Sequence, residues 1–275
     1  MLSIFGYDFM RRAFIAALCI SIIAPCIGTT IVLKRLSAIG DATSHSAMAG
    51  VAAGLAFGIN PILGAVIFSL IAVFAVEGFR KAFGRYADIA PVVVLSAGVG
   101  LTAVFSGFIR SGSANLNSFL FGSIVAVSDF EMYLTVGLSL AVLIVCISLY
   151  RELFYIAFDE ESARLSKVPV NTINFIFMIL TAVTVSAASR TVGALMISSL
   201  MVIPVACAMT VSKSYKMTLI LSVLFALFFT VAGLFLSFYV RFDFGELKPG
   251  GTIVLTGVIT LTLLLIFRKK KTESF

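Results

Sequence analysis

The feature that most restricts how this chain can fold is a succession of unbroken apolar runs, each about 18–24 residues long and parted by a few polar residues. Open strands at membrane depth would leave backbone groups without partners, so only helices or a closed barrel can cross a bilayer. The runs lack the in–out alternation of a barrel strand, which selects helices. Composition agrees: 60% of the residues are hydrophobic and 12% charged, with a mean hydropathy of +1.13. A soluble domain is roughly 45–50% apolar and about 25% charged. The 275 residues could bury a good core in water, but not this much apolar surface. Lipid is the solvent the sequence requires.

The expected fold is all-α, a polytopic bundle of about eight or nine spans forming one membrane domain over residues 1–275. The runs place spans near 13–33, 37–58, 60–79, 88–109, 131–149, 171–189, 191–211, 217–240 and 252–267. A shorter stretch, 116–127, is interrupted by Gly122 and reads as a re-entrant or interfacial helix. Gly58-Ile59-Asn60-Pro61 reads as a tight turn. With nine spans and the C-terminus inside, 14 of the 20 basic residues fall on the cytoplasmic side, including Lys34, Arg80, Arg164 and the Arg268–Lys271 tail. The positive-inside rule therefore prefers nine spans with the N-terminus outside. The net charge of +7 follows this loop pattern and gives no reason to invoke nucleic acid. The first apolar run is too long for a cleavable signal core. Cys19, Cys26, Cys146 and Cys207 lie inside apolar runs without a CxxC pair, so they read as small packing residues.

Three segments depart from plain hydrophobicity. In Arg35–Gly50, Asp41 and His45 are four residues apart and share one face of a helix. They stand roughly 8–14 Å along a span that starts near Leu36. Ionisable groups at such depth mark ion or substrate paths, and carboxylate with imidazole suits Zn²⁺ and tolerates Mn²⁺ or Fe²⁺. His45 is the single histidine, and small residues surround the pair. The plainer reading is a helix N-terminus capped by Asp41, with His45 bonded to a nearby carbonyl; two ligands are not yet a site. The second segment, Phe158–Pro169 within a loop of about 151–170, runs from acidic to basic and suits a short helix. It is either a solvated connector or a docking helix for a cytoplasmic partner. The third, Ser189–Pro204, puts a proline inside a span, where Ser198 and Ser199 could satisfy part of the freed backbone.

No G-x-x-x-x-G-K-[ST] element occurs, nor any Gly-Lys pair, so ATP-driven work would need another subunit. G-x-S-x-G and H-E-x-x-H are absent too, and an enzyme is not expected.

Taken in order, these segments resemble the ABC-3 family of metal-ion permeases, the zinc and manganese uptake channels. Gly40-Asp41-Ala-Thr-Ser-His45 through Gly50-Val51 is similar to its G-D-x-x-x-H-x-x-x-x-G-V signature. Asn117–Ser123 resembles its Leu-Phe-Gly stretch, Phe158–Lys167 its coupling loop, and Thr191–Ala208 its V-G-x-L…P-x-x-x-A span. Glu246–Leu255 is similar to its approach to the last helix, with Glu246 in place of the usual Asp. Met209 and Thr210 stand where a basic residue is often found. The resemblance implies a homodimeric permease folded like the vitamin-B12-type (type II) importers, in the cell membrane. It implies a cytoplasmic ATP-binding subunit docked at the coupling loop and an extracytoplasmic metal-binding protein. On matching positions, Asp41 and His45 would be metal-pathway ligands, and Asp159, Glu161, Ala163 and Arg164 would lie at the ATPase contact. No permanent cofactor is implied; the metal, Zn²⁺ preferred over Mn²⁺ on the look of Val192–Leu200 and Gly54–Pro61, is cargo. A self-contained cation channel or secondary transporter, and a membrane scaffold, are the rival readings.

Overall fold

The computed structural model describes residues 8–109, 122, 128–242 and 245–273. Among these residues nine helices are of spanning length: α1 (Asp8–Leu33), α2 (Ile39–Phe57), α3 (Pro61–Phe83), α4 (Ile89–Ser106), α5 (Asp129–Ser148), α8 (Val170–Thr191), α9 (Ala194–Val211), α10 (Tyr215–Tyr239) and α11 (Pro249–Glu273). Two short helices, α6 (Tyr150–Phe158) and α7 (Glu160–Leu165), sit between α5 and α8. A 3₁₀ turn (Gly84–Tyr86) follows α3. The chain is a multi-pass membrane protein. Eight of the long helices are apolar enough to be recognised as spans from composition; α2 is the ninth, matched in length but diluted by polar and small residues. The tally of nine from the sequence thus matches the helices, and the shorter tally is what hydropathy alone returns. The stretch 116–127, expected to be re-entrant or interfacial, lies outside the described residues except for Gly122.

Local signals set the boundaries. Gly58 takes φ 70°, closing α2, while Asn60 accepts from Ile62 N at 2.9 Å and Pro61 occupies the first turn of α3. Ser128 and Glu131 form a reciprocal capping box at the start of α5. Both α1 and α7 end in Schellman motifs, with Leu36 N bonding Ile31 O and Val168 N bonding Ala163 O. The left-handed residue at each is not glycine: Arg35 has φ 58° and Lys167 φ 61°. The expected all-α fold holds, with one addition, a two-residue hairpin pairing Arg241 with Glu246.

In the bundle, α1 packs against α5, α8, α9 and α10, while α2 is enclosed by α3, α4, α8 and α9. By contrast, only 22–28% of the apolar stretch of α3, α4, α5 and α11 is buried. Their bare Ile and Leu faces, such as Ile67, Ile71, Ile144 and Leu263, are what a lipid environment accepts. Close approach depends on glycine: a Cβ on Gly50 would strike the backbone of Gly64, and the reverse holds as well. The two ends of the bundle differ. At one, Arg12 beside the start of α1 pairs with Asp129 at the start of α5. At the other, the ends of α1 and α3 meet the short helices α6 and α7.

Pro204 lies inside α9, as expected, but the serines act differently from the expectation. Ser198 and Ser199 both donate to Leu195 O, at 3.2 and 2.8 Å. A helical hydroxyl reaches three or four residues back, not forward to the carbonyl that Pro204 releases.

Candidate functional site

Helix α2 carries small residues at nearly every contact, and for that reason its neighbours close in on it. From Ile39 to Gly54 each residue is buried except two, Asp41 and His45. Four residues apart and half-buried, they mark one strip along this stretch that the neighbouring helices leave partly open. The helix is capped at Ala38 without a side-chain bond, and Asp41 sits in the first turn. The capping role weighed for Asp41 is therefore not the one the structure gives it. Among the described residues, neither side chain finds a hydrogen bond or ion pair.

The back of His45 is held by α4. Gly98 comes so close that a Cβ there would press on the His45 and Ser46 backbone, and Thr102 Oγ1 donates to His45 O at 3.5 Å and to Gly98 O at 2.8 Å. Asp41 opens on a cavity of about 340 Å³ lined also by Ser37, Ala38, Ser198, Ser199 and Val202. The serines of α9 were recognised in the sequence as part of a proline-kinked helix, but not as neighbours of Asp41. They lie far along the chain from it, and no spacing rule joins them. Among the described residues no group of three His, Cys, Asp or Glu converges, so these residues offer at most two such ligands at this place.

The second site lies at the end of the bundle where α7 sits. Asp159 caps α7, accepting from Glu161 N at 3.0 Å, from Ser162 N at 3.2 Å and from the Ser162 hydroxyl. The Ser162 bonds, hydroxyl first, hold the Asp159 carboxyl below its ordinary value. Ala163 is 2% exposed and seats the helix on the bundle. Glu161 and Arg164 face outward, and Leu165 is 85% exposed. Of the four residues singled out in this loop, two are therefore at the surface, one caps and one anchors.

The residue that sequence reasoning passed over is Glu160. Its carboxylate stands 3.7 Å from Lys34 Nζ and 3.6 Å from Arg80 Nη1, and it accepts from Arg164 Nη2 and Asn174 Nδ2, both at 3.3 Å. Lys34, 9% exposed, donates at 2.9 Å to Asn174 Oδ1. Arg80 grips Glu77 through two bonds of 2.8 and 3.1 Å. Burial acts to raise the Glu160 carboxyl, but Lys34, Arg80 and Arg164 outweigh it and hold the group below its ordinary value. Burial lowers the Lys34 ammonium; the pull of Glu160 at 3.7 Å does not fully offset it.

The chain as a whole is similar to known proteins. Residues 6–269 match the model of the ABC 3 transport family. A probable metal transport system membrane protein of Treponema pallidum is 34% identical over 261 residues, 94% of this chain and 95% of that one. The manganese import system permease protein ScaB of Streptococcus parasanguinis is 29% identical, covering 98% of this chain and 94% of its own. PsaBC of Streptococcus pneumoniae, solved in complex with Fab, superimposes with a TM-score of 0.81 at 29% identity, over 95% of this chain and 92% of that one. The helical permease fold expected from the sequence is thus the observed one. A family match spanning nearly the full length, on a bundle of this shape, leaves one conclusion: the chain belongs to the ABC 3 transport family.

Proposed function

We propose that this protein is the membrane-spanning permease subunit of an ATP-driven importer of divalent transition-metal ions, with Asp41 and His45 as ligands along the ion path. One observation carries the reading. Between Ile39 and Gly54 the most enclosed helix of the bundle leaves only its two potential metal ligands, Asp41 and His45, half-buried instead of buried, and leaves both without partners among the described residues. An unpaired carboxylate and imidazole on a membrane helix are costly unless something takes their lone pairs. One chain supplies two N/O donors, so a second copy related by a two-fold axis would complete a set of four. Such a site must bind well enough to strip water from the ion and weakly enough to release it.

Mn²⁺ is the ion we favour, and here the expectation from the sequence shifts. The Streptococcus parasanguinis relative is named for manganese import, which gives the Zn²⁺ preference no specific support. A carboxylate-containing N/O pair without thiolate accommodates either ion. ATP hydrolysis would take place in a separate cytoplasmic subunit docked against α7, with Glu161 and Arg164 touching it while Asp159 and Ala163 keep the helix formed and seated. Metal would arrive from an extracytoplasmic binding protein. The test is uptake of Mn²⁺, Zn²⁺ and Fe²⁺, each supplied separately, into vesicles holding the permease with its neighbouring ATPase. ATP-dependent Mn²⁺ accumulation is expected. Accumulation without ATP would favour the channel or secondary-transporter reading.

A further inference from the structure

The acidic end of α7 is tied to parts of the bundle that lie far from the loop in sequence. Glu160 Oε2 faces Lys34 Nζ at 3.7 Å and Arg80 Nη1 at 3.6 Å, so one carboxylate holds the end of α1 and the end of α3 together. Its other oxygen accepts from Asn174 in α8 and from Arg164 one turn along α7. Each cation is itself fixed from behind, Lys34 by Asn174 and Arg80 by the double bond to Glu77. So short a helix does not hold itself together in water, and α7 keeps its place through Ala163 and through Glu160. Its remaining exposed surface, Glu161 and Leu165, points away from the bundle's buried core.

The linker beyond Lys34 gives this joint its reach. Arg35 adopts a left-handed backbone, Leu36 is buried and its N–H returns to Ile31 O, and α2 begins at Ile39. Asp41 therefore stands two turns of chain beyond Lys34, across a linker folded back on α1 with little slack.

We infer that Glu160 is a positioning residue for coupling: it fastens α7 to the ends of α1 and α3, so that a displacement of α7 reaches the linker entering α2 instead of being absorbed in the loop. The inference rests on the proposed transport function and adds the residue through which force would pass. Neither Glu160 nor Lys34 is among the residues proposed to touch the ATPase or the ion, and the Asp159 cap and buried Ala163 still hold α7 in their absence, so their loss should change what each ATP accomplishes and not whether ATP is hydrolysed.

The experiment uses the permease with its ATPase in sealed vesicles, with Mn²⁺ uptake and phosphate release measured on the same sample. Glu160→Gln keeps the shape and the Asn174 contact but removes the charge facing Lys34 and Arg80; Lys34→Gln removes the other half. In both, the ATPase should co-purify and hydrolyse ATP as in the wild type, while Mn²⁺ delivered per ATP falls about five-fold, the low end of coupling between distant sites. Lys34→Arg should restore the ratio. An unchanged ratio in both variants, a parallel fall of uptake and hydrolysis, or loss of the ATPase from the complex would each overturn the inference. Wild-type vesicles that hydrolyse ATP yet take up neither Mn²⁺ nor Zn²⁺ would overturn the transport reading and this inference with it.

Discussion

Asp41 and His45 on α2 and Glu160 on α7 are all ionisable groups set against helices, yet they are treated in opposite ways. Glu160 is surrounded by Lys34, Arg80, Arg164 and Asn174, and its charge is spent on holding protein to protein. Asp41 and His45 stand on a helix buried at nearly every other position and bond to no side chain among the described residues. Charges that satisfy one another make a joint, and charges left open on a rigid support make a place for something that comes and goes. The same chain thus contains a satisfied electrostatic contact and an open pair of ionisable groups, connected by the short linker between α1 and α2.

The contrast breaks most sharply at the open pair. Asp41→Asn and His45→Ala should each reduce ATP-dependent Mn²⁺ uptake at least about 100-fold, since loss of partners one layer removed from a metal already costs about 10–100-fold. Assembly with the ATPase should survive, because neither side chain bonds within the described bundle. Uptake at wild-type levels would remove both residues from the ion path.

A smaller effect tests the claim that α2 is a rigid support. Gly50→Leu would push a side chain into the backbone of Gly64 and should destabilise the protein by about 1–3 kcal/mol. Thermal unfolding in detergent measures it. Gly78→Ala, on α3 where a Cβ meets nothing, should instead stabilise by about 0.5–1 kcal/mol. Equal effects at the two glycines would contradict the close α2–α3 packing.

The smallest effect lies at the cap of α7. Asp159→Ala should speed hydrogen exchange at the Glu161 and Ser162 amides and leave α8 unaffected. Acid should act on the same end. Asp159 and Glu160 are both held below their ordinary carboxylate values. Their contributions are fully present above about pH 4 and are lost as the pH falls through those lowered values. Protection of α7 that stayed constant through that range would show that the cap and the joint do not hold it. Protection lost well above pH 4 would point to some other titrating group.

Much of this molecule is legible in the chain alone. Apolar runs locate eight of the nine long helices outright and α2 as a run of small and apolar residues, with ends displaced by a turn or two at most, because in lipid a helix is the one open-chain way to satisfy the backbone. Asn60-Pro61 marks the start of α3 and Gly58 the end of α2, since those residues act through their own φ and side-chain bonds. The Asp41–His45 spacing is legible for the same reason: i and i+4 share a face wherever the helix sits. The break at Gly193, φ 95°, is approached only loosely, since apolar run length starts that span early, at Thr191.

Which helix neighbours which was decided by the tertiary structure alone. Lipid is as apolar as the helix faces, so hydropathy gives no preference among partners; close contacts such as Gly50 with Gly64 make the choice. That is why Ser198 beside Asp41, and Lys34 beside an asparagine 140 residues later, could not be read from spacing. Glu160 looked like one more acid in a charged loop because its partners outside that loop belong to α3, α8 and the end of α1. The sequence by itself determined the helices and the carboxylate–imidazole pair on one of them. Only the packing decided that this helix would be buried from Ile39 to Gly54 everywhere but at those two positions, since burial depends on neighbours that local spacing does not encode.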